Sequence, residues 1–117
     1  MSLRTPLCDL LGIEHPILLA GMGGVSYAEL AAAVSNAGGY GVLGMAGTQP
    51  DFIREQMRKV RALTDRPFGV DLLAASPESL TASVDVIIEE GASSFVAGLG
   101  VPMPIMEKLK KAGLKVM

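Results

Sequence analysis

Apolar positions in this chain fall into two alternating patterns. Ile17, Leu18, Leu19 and Ala20 form a continuous apolar run, as expected of a parallel strand covered on both faces. The run passes into Gly21-Met22-Gly23-Gly24, after which Leu30, Ala31, Ala33, Val34 and Ala37 recur at helical spacing as far as Gly38-Gly39. The cycle then repeats. A strand over 40–43 enters a second glycine loop, Gly44-Met45-Ala46-Gly47, and a helix from Asp51 to about Thr64 puts Ile53, Met57, Val60 and Thr64 on one side. A strand over 68–73 leads to a helix with Leu80, Val84, Ile87 and Ile88 at i, i+4, i+7 and i+8, ending at Gly91. A strand over 94–97 runs into Gly98-Leu99-Gly100-Val101-Pro102. Ile105, Met106, Leu109 and Ala112 mark a further helix, Gly113 stops it, and a fifth strand begins at Lys115.

Local signals sharpen the boundaries. Thr5, Pro6 and Gly12 suit the cap, first and terminating positions of a short leading helical turn, whose apolar residues are expected to cover the bottom of the first strand. Ser26 and Glu29 have the spacing of a capping box. Ser76 and Pro77 open the fourth helix in the same manner. Arg54, Glu55, Arg58, Lys59 and Arg61 read as a solvated helix face, and Lys108, Lys110 and Lys111 sit at a helix carboxyl end, where the macrodipole favours cations.

Successive strand starts lie about 21 to 28 residues apart, the spacing of right-handed βαβ crossovers in a parallel sheet. Two α/β folds share that spacing: a doubly wound sheet and a (β/α)₈ barrel. In both, ligands sit at the strand carboxyl ends, where three of the four complete strands run into Gly-rich loops. A barrel typically takes about 250 residues, so 117 residues supply roughly half. The closing strand with no helix after it suits a divided barrel better than a finished open sheet. The expectation is one partial domain over 1–117, about four βα units plus a fifth strand.

Composition narrows the function. The formal charge of −2 leaves no electrostatic footprint for nucleic acid or an anionic membrane. Half of the residues are hydrophobic, but no run approaches bilayer length, and the first residues lack the apolar core of a secretory signal. The single cysteine, Cys8, excludes an internal disulfide and fits a reducing, cytoplasmic compartment. Unpaired strand edges leave homo-oligomerisation open.

A strand feeding a glycine loop and then a helix amino end favours anions and cofactors, although a short glycine cluster is weak evidence by itself and also serves as a plain turn. His15, the only histidine, precedes the first strand at the end opposite the usual catalytic face, so a structural role is expected. Cys8 has no His partner in reach and reads as a small buried apolar residue. Asp71 is a charge near the end of a buried strand, where charges are rare unless paired, and so reads as functional.

Leu11-Gly12-Ile13-Glu14-His15-Pro16-Ile17, Gly21-Met22-Gly23-Gly24-Val25-Ser26, Leu30-Ala31-Ala32-Ala33-Val34-Ser35-Asn36-Ala37-Gly38-Gly39 and Leu63-Thr64-Asp65-Arg66-Pro67-Phe68-Gly69-Val70-Asp71-Leu72 stand in one order. With them the chain, from about Leu7 onward, resembles the amino-terminal half of the nitronate monooxygenase (2-nitropropane dioxygenase) family. The FMN-dependent enoyl-ACP reductases of the same superfamily come second. The resemblance implies the amino-terminal half of a TIM barrel built of parallel (β/α) units, with FMN bound at the carboxyl-end face. It implies oxidation of a small-molecule nitronate with O₂, or reduction of an enoyl thioester with a nicotinamide donor. Carried over by position, Gly21, Met22 and Gly23 match the loop whose backbone lies against the flavin. Asp71 falls where the family has Asn in Gly-Val-Asn-Leu. An Asn amide donates and accepts hydrogen bonds, whereas an ionised Asp only accepts. The resemblance also places the catalytic His and the main phosphate-binding loops beyond residue 117. No catalytic residue or metal ligand is therefore expected within these 117 residues, and by themselves they are expected to turn flavin over weakly or not at all. A half-barrel acting only through self-association is the alternative from a different class.

Overall fold

The computed structural model of the chain describes residues 3–74 and 77–117. Helix α1 (Pro6–Leu11) starts with Pro in its first turn and ends at Gly12, whose φ of 71° is left-handed. The following elements are α2 (Ala28–Asn36), β1 (Gly41–Gly44), α3 (Pro50–Leu63), β2 (Phe68–Leu73), α4 (Pro77–Glu89), β3 (Ser94–Gly98), α5 (Met103–Lys111) and β4 (Lys115–Val116). The expected cap at Ser76 lies outside the described residues.

All strand pairs are parallel, and their spatial order is the sequence order β1-β2-β3-β4. The chain before β1 extends the sheet on its outer edge through a parallel bridge between Leu18 and Tyr40. A doubly wound sheet reverses direction at a switch point, and no reversal occurs here. Consecutive helices also pack on one another, α2 on α3, α3 on α4 and α4 on α5, which keeps them on one side of the sheet. The architecture is a succession of barrel units.

The two faces of the sheet bury different residues. Leu43, Phe68, Val70, Leu72 and Phe95 face the helices and share a core with Ile53, Met57, Val60, Val84, Ile87 and Leu109. Phe68 and Phe95 are fully buried, a change worth about 1.5–3 kcal/mol each. Tyr40 and Val42 point to the opposite, inner face, where Cys8, Leu11 and Ile13 close over them. The leading helix therefore plugs the bottom of β1, not of the preceding segment as its position in the chain suggested.

Two local expectations are corrected. The run 17–20 is not a strand buried on both faces. Only Ile17 O and Leu19 N engage Tyr40, at 2.9 Å each, and Ile17 is 60% exposed. The segment is a sheet edge with no strand beyond it among the described residues, so nothing covers its outer side. The Ser26–Glu29 capping box does not form. Helix α2 starts after Tyr27 without a side-chain cap. The Ser26 hydroxyl instead turns back, accepting from Met22 N at 2.6 Å and donating to Met22 O at 3.1 Å. The loop's own backbone competes for the hydroxyl and is nearer. Ala28 N donates to Gln56 Oε1 of α3 at 3.0 Å, so a buried glutamine from the next unit satisfies the helix end.

The charged face of α3 is solvated in part only. Arg54 reaches Glu89 at 2.8 Å and Glu90 at 2.6 Å, tying α3 to the end of α4, and Arg58 joins Glu90 at 3.1 Å.

Candidate functional site

Alternation along β2 sends Phe68, Val70 and Leu72 to the helices and Gly69, Asp71 and Leu73 to the inner face. Asp71 is paired in register with Gly44 on one side and Val96 on the other. Its side chain rises on the inner face near the strand carboxyl ends, at the point where the glycine loop 21–24 crosses. A Cβ at Gly21 would overlap Asp71 Cβ, Cγ and Oδ2, and a Cβ at Gly44 would overlap the backbone of Met22. Asp71 Oδ1 lies 3.4 Å from where a Cβ at Gly98 would stand. Gly21, which follows the edge segment 17–20, and Gly98, which ends β3, thus lie against one carboxyl group, and glycine at 21 and 44 lets the loop 21–24 pack down onto β1 and β2.

The loop is held from below. The buried Ser26 fixes both backbone groups of Met22, and Ser26 O accepts from Gly44 N at 2.9 Å. Gly24 N donates to the Tyr27 hydroxyl at 3.2 Å, and the Tyr27 ring packs edge-on against Phe52 with centroids 5.3 Å apart. The upper side is open. Nothing lies within 4 Å of a Cβ at Gly23, and Met22 is 39% exposed. Leu73, Leu99, Val101 and Met103 continue an exposed apolar rim around the strand ends.

Among the described residues the mouth holds no positive group. Among the described residues the Asp71 carboxyl has no hydrogen-bond or ion-pair partner, and partial burial raises its pKa above the ordinary aspartate value. Gly21, Met22, Gly23 and Asp71, singled out from the sequence, therefore meet in space. Ser26 and Gln56, which hold the loop and the helix behind it, were read as a cap and not read at all. Their partners are backbone atoms 4 and 28 residues away, and no short motif encodes such contacts.

Other candidates fall elsewhere. His15 is half exposed and lies 3.9 Å from Glu14, its backbone N bonded to Gly38 O before β1, at the amino end. Cys8, on the side of α1 that packs on Tyr40 and Val42, is fully buried. A cleft of about 380 Å³ opens between Ala46–Pro50 and Leu80, Ala82 and Ser83 of α4, beside the mouth and lined by none of the four site residues. Among the described residues no cluster could hold a metal ion, and no helix is long and apolar enough to cross a membrane.

A glycine-lined mouth at the carboxyl ends of sequentially ordered parallel strands lies where α/β barrels bind their ligands. The family model for nitronate monooxygenase matches residues 4–115, and the chain belongs to that family. It is 40% identical over 116 residues to the (3aS,4S,5R,7aS)-5-hydroxy-7a-methyl-1-oxo-octahydro-1H-indene-4-carboxyl-CoA dehydrogenase of Mycobacterium tuberculosis, covering 99% of this chain and 32% of that protein. It is 47% identical over 82 residues to the nitronate monooxygenase of Paraburkholderia phytofirmans, covering 70% and 22%. Among solved structures, FabK from Thermotoga maritima superposes with a TM-score of 0.92 at 43% identity, over 98% of this chain and 37% of that one. The chain thus spans about a third or less of the length of the curated relatives it matches.

Proposed function

We propose that the protein carrying this chain is an FMN-dependent oxidoreductase that oxidises alkyl nitronates with O₂, and that these residues form the floor of its flavin site. The observation that carries the reading is the approach of Gly21 and Gly98 to the Asp71 carboxyl, with Gly44 packed under Met22, beneath an open loop surface at Gly23. That arrangement fits a flat ring. A side chain at Gly23 would occupy the open space above the loop, and the apolar rim with Met22 suits an aromatic face. Bound FMN supplies the electron acceptor and its return path to O₂.

The chain's own residues position and shield. Ser26 keeps Met22 rigid, so the loop backbone presents a fixed surface. Gln56 braces the amino end of α2 directly behind that loop. The apolar rim excludes water from one side of the ring. No described residue is assigned as the base that would act on a substrate.

Absorbance of the purified protein tests the reading. Bound flavin, bleached anaerobically by an alkyl nitronate and restored by O₂, is the expected result. A colourless protein that stays colourless with added FMN overturns it. Enoyl-thioester reduction is the second reading, favoured by the 43% identity to FabK across 98% of the chain. Bleaching by NADH or NADPH, with none by nitronate, would select it.

A further inference from the structure

Asp71 is the ionisable side chain at the centre of the mouth, and its surroundings decide its charge. Four of the surrounding backbone donors are engaged elsewhere. Met22 N bonds Ser26 Oγ, Gly44 N bonds Ser26 O, Met45 N bonds the Asp71 carbonyl, and Ala74 N bonds Gly98 O. Residues 17–24, β1, β3 and the loops 45–49 and 99–102 contain no titratable side chain. The Tyr27 hydroxyl, at the start of α2, is turned to Gly24 N. Both carboxyl oxygens lie against glycines, Oδ2 at Gly21 and Oδ1 toward Gly98. An ionised carboxylate here has lost part of its water and gained no donor among the described residues, which disfavours the charge. A neutral acid keeps one O–H free to point into the mouth.

We propose that Asp71 stands in the mouth as a neutral carboxylic acid and donates its O–H to an acceptor atom on the edge of the bound flavin ring. It supplies with one proton the donor that an amide would supply from an Asn at this position. The proposal rests on the flavin reading above. Its consequence is a pH-gated affinity: ionised Asp71 removes the donor and sets a carboxylate oxygen against a ring acceptor. Binding to a group that must be protonated weakens by up to about tenfold per pH unit once the group ionises.

The test measures FMN dissociation constants of the apoprotein between about pH 5 and 8, for wild type and Asp71→Asn, by flavin fluorescence. The FMN phosphate titrates in both experiments, so the readout is the ratio of the two constants. The expected ratio, wild type over Asp71→Asn, rises with pH toward about tenfold per unit. A ratio that is flat, or that falls as pH rises, overturns the proposal while leaving the flavin reading in place. Absence of FMN binding by both proteins at every pH overturns the flavin reading and the proposal with it. A second measurement needs no ligand: a carbon NMR titration of the Asp71 carboxyl in the apoprotein. A midpoint above the ordinary aspartate value is expected, and one at or below it overturns the proposal.

Discussion

The Tyr40 hydroxyl and Ser94 Oγ lie 2.6 Å apart on the inner face, joining the start of β1 to the start of β3 across Gly69 of β2. The contact is buried, and burial raises the tyrosine pKa against the opposing effect of its serine partners. Gly69 has to be small, because a Cβ there would lie 2.5 Å from Ser94 Oγ and 3.1 Å from the tyrosine ring. Tyr40→Phe should destabilise the fold by about 1–3 kcal/mol, since the Ser94 hydroxyl is left buried without its partner. Urea unfolding measures this. The double variant Tyr40→Phe/Ser94→Ala should lose less than the sum of the two single variants.

Gly21→Ala should cost about 1–3 kcal/mol through overpacking and should abolish FMN binding. The overlap involves Asp71 Cβ as well as Oδ2, so Asp71→Ala should fail to rescue stability while Asp71→Gly should succeed. Thermal melts of the two double variants check this order.

Gly23→Ala separates fold from site. Its Cβ would meet nothing within 4 Å, so stability should stay within about 0.5 kcal/mol of wild type. FMN affinity should fall by about tenfold or more, equivalent to about 1.4 kcal/mol, because the methyl enters the space assigned to the ring. Unchanged affinity would move the ring off this loop.

Asp71→Asn should also change stability with pH. Burial raises the carboxyl pKa in the folded protein, so wild-type stability is fully present below the unfolded aspartate value and declines as pH rises through the folded one. Asp71→Asn should therefore be more stable than wild type at neutral pH, with the gap closing in acid. Chemical denaturation at several pH values gives the sign.

Glu90 should behave in the opposite sense. Hydrogen bonds from Arg58 and Arg54 hold its carboxyl below the ordinary glutamate value. Its contribution is present above the unfolded glutamate pKa and is lost as pH falls through the folded one. Glu90→Gln should lower stability at neutral pH and have little effect in strong acid, as melts across that range would record.

The helices and central strands were legible because their signals are periodic and local. Residues 68–73 match β2 residue for residue, and Ile53, Met57 and Val60 are buried as the period of α3 required. The edge segment was misread because a continuous apolar run reports that a strand wants cover on both faces, not that cover is present at Ile17. The Ser26 box failed because spacing cannot weigh a nearby competitor such as Met22 against the helix amides. Gly21, Met22 and Gly23 were chosen by family likeness and Asp71 also as a charge near the end of a buried strand, and no periodicity foretold that Gly21 and Asp71 would touch across 50 residues of chain. Choice between a doubly wound sheet and a barrel depended on strand order, which spacing leaves open and tertiary pairing decides.

The sheet's sequential order has a consequence for how the chain is made. Each strand docks beside the one synthesised just before it, after closing a loop of roughly 25 residues, and that closing entropy grows only with the logarithm of length. Units can therefore be laid down one at a time as they leave the ribosome, with each register templated by a neighbour already in place. A pause in synthesis between units leaves a single growing edge, which the next unit to emerge is shaped to cover.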